Sequence, residues 1–291
     1  MSGAPPSGRQ VALRHGAWAA TVVEVGGGIR ELSHEGTPVL DGYGVGEMAS
    51  GGRGQPLLPW PNRMTGGRYA FAGRTIQAPI SEPSSGSAIH GLTRWVNWEV
   101  ADARADACAM ALRLHPQPAY PFMLDLRIDY ALGEAGLTVT LTGTNAGEGP
   151  LPFGAGFHPY LTAGSTTVDE CRLTLPAAAP HERDFRASAP IGHRVIDDCY
   201  TGLERDGEGV AQVDLQGPAG IVTMWMDPLW SHVMVFTGDT LAPERRRLGL
   251  AVEPMTCAPD AFNTAEGLRV LAPGESVAGS WGIALEPATD P

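Results

Sequence analysis

Along residues 122–130 apolar and polar side chains alternate. Phe122, Leu124, Leu126, Ile128 and Tyr130 share one parity, and Asp125, Arg127 and Asp129 occupy the other. Successive side chains of a strand point to opposite faces, so the pattern predicts a strand with one dry and one wet face. Leu137, Val139 and Leu141 alternate in the same way with Thr138, Thr140 and Thr142. The stretch from Gly133 to Gly136 between the two runs predicts a hairpin. Val277, Gly279, Trp281, Ile283 and Leu285 repeat the alternation near the end of the chain, and residues 221–226 and 232–237 are β-rich runs split by Asp227-Pro228. Helical periodicity is almost absent, because Pro and Gly interrupt nearly every window of about a dozen residues. Many short strands joined by hairpins predict two packed sheets or a barrel. For a chain of 291 residues a large antiparallel β-sandwich is the better fit, and its curvature offers a concave face to a small ligand.

Composition narrows the partners. A hydrophobic fraction of 43% fits a packed globular core and excludes wholesale disorder. No linker or fixed-period repeat divides the chain, so one domain over residues 10–286 is expected, with 1–9 and 287–291 as flexible ends. The formal net charge is −12, and all 20 basic residues are Arg. Such a field disfavours nucleic acid and anionic membranes as main partners and suits an uncharged small molecule; it also predicts a preference for unphosphorylated ligands. Cys108, Cys171, Cys199 and Cys257 are widely separated. That spacing supports neither a disulfide framework nor a metal site, and fits a reducing cytoplasm. No apolar run approaches the roughly 20 residues of a membrane span, and the polar first ten residues lack a signal-peptide core. Oligomeric state leaves no mark on the sequence.

Five segments carry candidate chemistry. In Pro59-Trp60-Pro61-Asn62-Arg63, two prolines stiffen a loop that delivers Asn62 and Arg63; the guanidinium would hold a substrate oxygen or pair with a nearby acid. His90 precedes Gly91, which fits either a sharp turn exposing the imidazole or a hydrogen-bonded structural histidine. His158 lies between Phe157 and Pro159-Tyr160; partial burial would tune it toward proton transfer, and the alternative is a core histidine. Glu253 ends the apolar run of Leu248, Leu250 and Val252, where a carboxylate either pairs with an Arg or does acid–base work. Asp197 and Asp198 stand in Ile196-Asp197-Asp198-Cys199-Tyr200, which also reads as a solvated loop. The run Arg245-Arg246-Arg247 is a candidate anion cluster or a solvated loop. Metal-ligand spacing, a nucleophile elbow and a phosphate-cradling glycine loop followed by a helix find no support, so no metal and no cofactor are expected. Trp60 or Trp95 would offer a flat apolar surface to a ligand or, more simply, pack in the core.

In order and spacing, Pro59-Trp60-Pro61-Asn62-Arg63 with Gly67-Arg68-Tyr69, His90-Gly91, Gly156-Phe157-His158-Pro159-Tyr160, and Glu253-Pro254-Met255-Thr256 with Pro259-Asp260-Ala261-Phe262-Asn263 resemble the aldose 1-epimerase (galactose mutarotase-like) family. The resemblance runs from about residue 12 to 285. It implies a galactose mutarotase-like supersandwich and a cofactor-independent isomerase that interconverts the α and β anomers of free aldoses. By motif, His158 matches the histidine that protonates the ring oxygen and Glu253 the base that takes the anomeric hydroxyl proton. Arg63, His90 and Asn62 match the substrate-binding segments, and Asp197 is the loosest match, with Asp198 adjacent. Leu161 stands where the family usually has an aromatic residue, and residues 90–95 depart from the galactose-specific branch, which leaves the sugar open. Two other readings on the same fold are a non-catalytic carbohydrate-binding or sugar-sensing protein and a hexose-6-phosphate 1-epimerase. The joint presence of His158 and Glu253 favours an enzyme over a binding module.

Overall fold

The computed structural model describes residues 3–177 and 184–288. The expected alternation sets the architecture. Leu124–Gly133 and Gly136–Asn145 form the predicted hairpin, with Ile128 opposite Leu141 and Tyr130 opposite Val139. Leu124, Leu126, Ile128 and Tyr130 all point into the core, while Phe122 precedes the strand and packs against its edge.

These two strands lie in a nine-stranded antiparallel sheet. Its order is Glu99–Ala103, Ala107–Leu114, Leu124–Gly133, Gly136–Asn145, Ser276–Pro287, Gly220–Met226, Ala211–Gly217, Arg172–Thr174 and Ala189–Pro190. Against it lies a second sheet with the order Asp197–Tyr200, His232–Phe236, Leu250–Met255, Gly156–Phe157 and Pro56–Leu57. Aromatic side chains join the two: Phe157 of the second sheet meets Trp281 of the first at 5.1 Å between ring centroids, and Trp230 at 5.6 Å. A smaller sheet of Gln10–His15, Trp18–Val23, Ile29–His34 and Thr37–Pro38 completes the sandwich. Tyr130 ties it to the large sheet by donating its hydroxyl to the carbonyl of Gly27. Among the described residues the α-helix is a single turn, Ala261–Thr264. The fold is therefore an all-β antiparallel sandwich.

The ends are more ordered than the sequence predicts. Ser7 is fully buried and its carbonyl accepts from the backbone of Val25, while Arg9 exchanges bonds with Glu24. At the other end Pro287 is still paired with Gly220, and the Ala288 amide donates to Ala219. Edge pairing, which composition does not show, fixes both segments. Residues 1–2 and 289–291 lie outside the described residues.

Candidate functional site

The second sheet has a gap in its ladder, and the gap holds the chemistry. Gly156 pairs with Met255 and Tyr160 with Ala251 on the two sides of it. The register is the same on both sides, so His158 falls directly opposite Glu253. Directly opposed side chains of antiparallel strands lie about 5 Å apart at Cβ. Here the two buried groups meet, with His158 Nε2 3.2 Å from Glu253 Oε1. Pro254, which has no backbone N–H, occupies the same gap. On the other side Glu253 pairs with Met234, which also lines the cleft.

The other candidates arrive on three further segments. Arg63–Thr65 pairs with Ser87–Ile89, and the His90 amide donates to the Asn62 carbonyl. In return the Asn62 amide donates to His90 Nδ1 at 3.2 Å. An accepting Nδ1 places the ring proton on Nε2, leaving His90 a fixed donor toward the cleft. Both Asn62 and His90 adopt left-handed backbone, with φ of 52° and 62°. Asp197 opens the edge strand Asp197–Tyr200 and lines the cleft, and Asp198 takes the opposite parity. Arg63, Asn62, His90, His158, Asp197 and Glu253 thus surround one cleft of about 270 Å³, at the small end of the range for ligand pockets. These segments are far apart in sequence and meet at this one cleft.

Electrostatics single out the buried pair. Burial pushes Glu253 well above the carboxylate range, helped by Asp197 and opposed by Arg63 and Arg94. Burial also drives His158 down to about 3, with the charges of Arg94 and Arg53 adding to the effect. Burial and the neighbouring His158 lower His90 well below its ordinary value. Asp197 is raised by partial burial, while Arg63 pulls it down. Both shifts favour the neutral form of the pair, with the proton on the carboxyl, and Glu253 Oε2 and His158 Nδ1 have no partner among the described residues. The Oε2 atom is a buried acceptor left for a ligand to fill.

The expected roles need three adjustments. Arg63 lines the cleft, but its guanidinium is held by Glu82 at 2.5 and 3.0 Å. Of the two Arg residues that line the cleft, Arg94 is the one with no ion pair or side-chain hydrogen bond among the described residues, and its guanidinium carbon sits 5.6 Å from the Trp95 ring. Trp60 packs on Phe262 in the core, whereas Trp95 is 60% exposed and fills no core site. Arg245 is tied to Asp41, Glu47 and the Gly42 carbonyl, and Arg247 to Asp169 and Asp239. Their charges are spent on structural acids, away from the cleft.

Sequence reasoning gave no role to Glu82, to Arg94 within the segment 89–95, or to the loop of Gly51, Gly52, Arg53 and Gly54. That loop wraps His158: the Gly54 amide donates to the His158 carbonyl, and the His158 amide to the Gln55 carbonyl. A Cβ on Gly52, where φ is +77°, would stand 2.6 Å from His158 Cδ2. Three glycines around one Arg were the only available signal, and no helix follows them.

A family model described as aldose 1-epimerase matches residues 9–283. The chain is 35% identical over 285 residues to the uncharacterized protein YihR of Escherichia coli K12, covering 92% of this chain and 91% of that one. It is 26% identical to the uncharacterized protein YphB of the same organism, covering 94% and 98%. The fold is shared with an aldose epimerase homologue from C. elegans, at a TM-score of 0.83 and 15% identity over 97% of this chain and 99% of that one. It is also shared with a galactose mutarotase-like protein from Clostridium acetobutylicum, at a TM-score of 0.79 and 16% identity over 95% of each. Motifs, fold and whole-length match agree, and the chain belongs to the aldose 1-epimerase family.

Proposed function

We propose that the protein is a cofactor-independent aldose 1-epimerase. It would interconvert the α and β anomers of an aldose, with His158 and Glu253 moving the protons. The observation that carries this reading is the buried His158–Glu253 contact of 3.2 Å at the floor of a small cleft.

The chemistry needs one proton delivered and one removed. Opening a cyclic hemiacetal breaks the bond from C1 to the ring oxygen, which takes a proton, while the C1 hydroxyl loses one as the carbonyl forms. Rotation about C1–C2 and reclosure run the same transfers backward. The pair gains one proton and gives one in each half, so a site holding a single proton is balanced throughout. Both reacting oxygens of the sugar are bonded to C1, which brings them within reach of two groups in mutual contact. In the resting pair the proton lies on Glu253. A C1 hydroxyl donating to Glu253 would stabilise the carboxylate and let the proton pass to His158, the acid for the ring oxygen. His90, neutral with its Nε2–H outward, would donate to a sugar hydroxyl. Asn62, Asp197 and Arg63, the last braced by Glu82, would bind the remaining hydroxyls.

Arg94 favours a second reading of the substrate. A partly buried guanidinium without a counter-ion carries an uncompensated desolvation cost that an anionic substituent on the sugar would offset. This reading keeps the reaction and changes the ligand, toward a sugar bearing a phosphate, carboxylate or sulfonate. The test is magnetisation exchange or polarimetry on freshly dissolved α-aldoses, comparing neutral hexoses with their 6-phosphates and uronates. Enzyme-dependent anomer exchange supports the epimerase. Binding without exchange would favour the carbohydrate-binding alternative.

A further inference from the structure

Behind His158 stands a column of three side chains that the acid–base scheme does not use. The imidazole lies flat on the Tyr160 ring, with centroids 4.9 Å apart and planes 13° from parallel. Arg53 also packs over that ring, its guanidinium carbon 4.4 Å from the centroid. Arg53 is 1% exposed and fully committed. Its Nε and Nη2 donate to Asp41 Oδ2 at 3.0 and 2.8 Å, and Nη1 donates to the Ser50 carbonyl at 3.1 Å. Tyr160 is pinned in turn by its hydroxyl, which donates to the Gly51 carbonyl at 2.9 Å. The Arg53 loop thus holds the backbone of His158, the edge of its ring and the ring beneath it.

We infer that Arg53 is a positioning residue for His158, fixing the plane of the imidazole through Tyr160 and making its protonated form a stronger acid. The physical reason is a conflict over one aromatic ring. The face of Tyr160 attracts a cation. Arg53 already engages that ring, so an imidazolium against it meets a ring whose quadrupole is taken up and a like charge close by. Their distances to the ring centroid, 4.9 and 4.4 Å, put the two cations no more than roughly 9 Å apart. At an effective dielectric constant near 20 their repulsion shifts the imidazole by about one pH unit, with Asp41 cancelling a part. An imidazolium made costly in this way gives its proton readily to a weakly basic ring oxygen.

Other charged and titratable groups also face His158. Glu253 lies across the ladder, His90 stands edge-on at 5.2 Å, and the Arg94 charge acts from the cleft wall. The test must therefore separate Arg53 from these. Arg53→Met keeps the bulk of the stem and removes the charge, and Arg53→Lys restores a charge in the same place. The readout is the titration of the His158 ring nitrogens by NMR, which needs no activity. The expected result is uptake of the imidazole proton about one pH unit higher in Arg53→Met than in wild type, with Arg53→Lys returning toward wild type. A folded Arg53→Met that titrates as wild type overturns the inference, as does a Lys variant that titrates like the Met variant. Should Arg53→Met fail to fold, Asp41→Asn decides, because it unmasks the Arg53 charge, and Arg245 remains beside position 41. Its His158 must then protonate at lower pH than in wild type, and a value equal or higher overturns the inference. The catalytic consequence rests on the epimerase reading, but the titration does not. Wild-type enzyme that exchanges no anomers while the titrations shift as stated sinks that reading and leaves the column intact.

Discussion

In the proposed epimerase reaction the raised Glu253 and the lowered His158 set the pH dependence. Turnover needs one proton on His158 and Glu253 together. As pH falls through the His158 value of about 3, the pair gains a second proton and loses its acceptor. As pH rises through the raised value of Glu253, the pair loses its last proton and its donor. Between these limits kcat/KM for the free enzyme is flat. Ordinary groups would behave differently. With a carboxylate near 4.3 and an imidazole near 6.5, the productive state would peak between those values and fall about tenfold by pH 7.5. The assay is NMR exchange between anomers from pH 4.5 to 7.5, with the buffer-catalysed rate subtracted at each point. The structure predicts less than about a twofold change from pH 5 to 7. A decline of slope −1 with its midpoint near 6.5 would refute the inverted pair and show an exposed, ordinary histidine.

Three further outcomes follow from the same geometry. Gly52→Ala places a Cβ 2.6 Å from the His158 ring at a φ of +77°; it should cost about 1–3 kcal/mol, lower Tm by several degrees, and cut kcat by more than tenfold. Glu253→Gln removes a buried group whose raised folded pKa means that its favourable contribution is present only at low pH and is lost as pH rises. Thermal melts at pH 8 should show this variant at least as stable as wild type, and a fall of several degrees would mean that the carboxylate is held by a partner. Arg94→Leu should lower kcat/KM for a uronate or 6-phosphate at least tenfold relative to the neutral sugar; equal losses on both would remove the anionic-substituent reading.

The sandwich was legible because its strands obey period two where one face is dry, as in the runs through Ile128 and Leu141. The catalytic candidates were legible as residues of the wrong type for their surroundings: a Glu within an apolar strand and a His between aromatic side chains. What could not be read was which partner each charge would take. Arg63 and Arg94 look alike in the sequence, and only the fold gives one to Glu82 and leaves the other open. The choice between Asp197 and Asp198 was likewise a matter of parity on an edge strand, fixed by pairing with Phe236 and Val235. Arg53 was invisible because its role depends on a ring stacked 4.4 Å away from a distant segment. The ordered ends were missed because backbone pairing at a sheet edge needs no particular side chains.

The central claim is that His158 and Glu253 together move the protons of ring opening. The direct measurement is the anomer exchange rate, by NMR on a freshly dissolved α-aldose that the wild type accepts, of Glu253→Gln and His158→Gln beside wild type. A glutamine keeps the size of either group and neither takes up nor releases a proton. Each substitution should lower kcat by roughly 10²–10⁴-fold with little change in KM, and the double variant should fall no further than the worse single one. Exchange by Glu253→Gln at close to the wild-type rate would contradict the account.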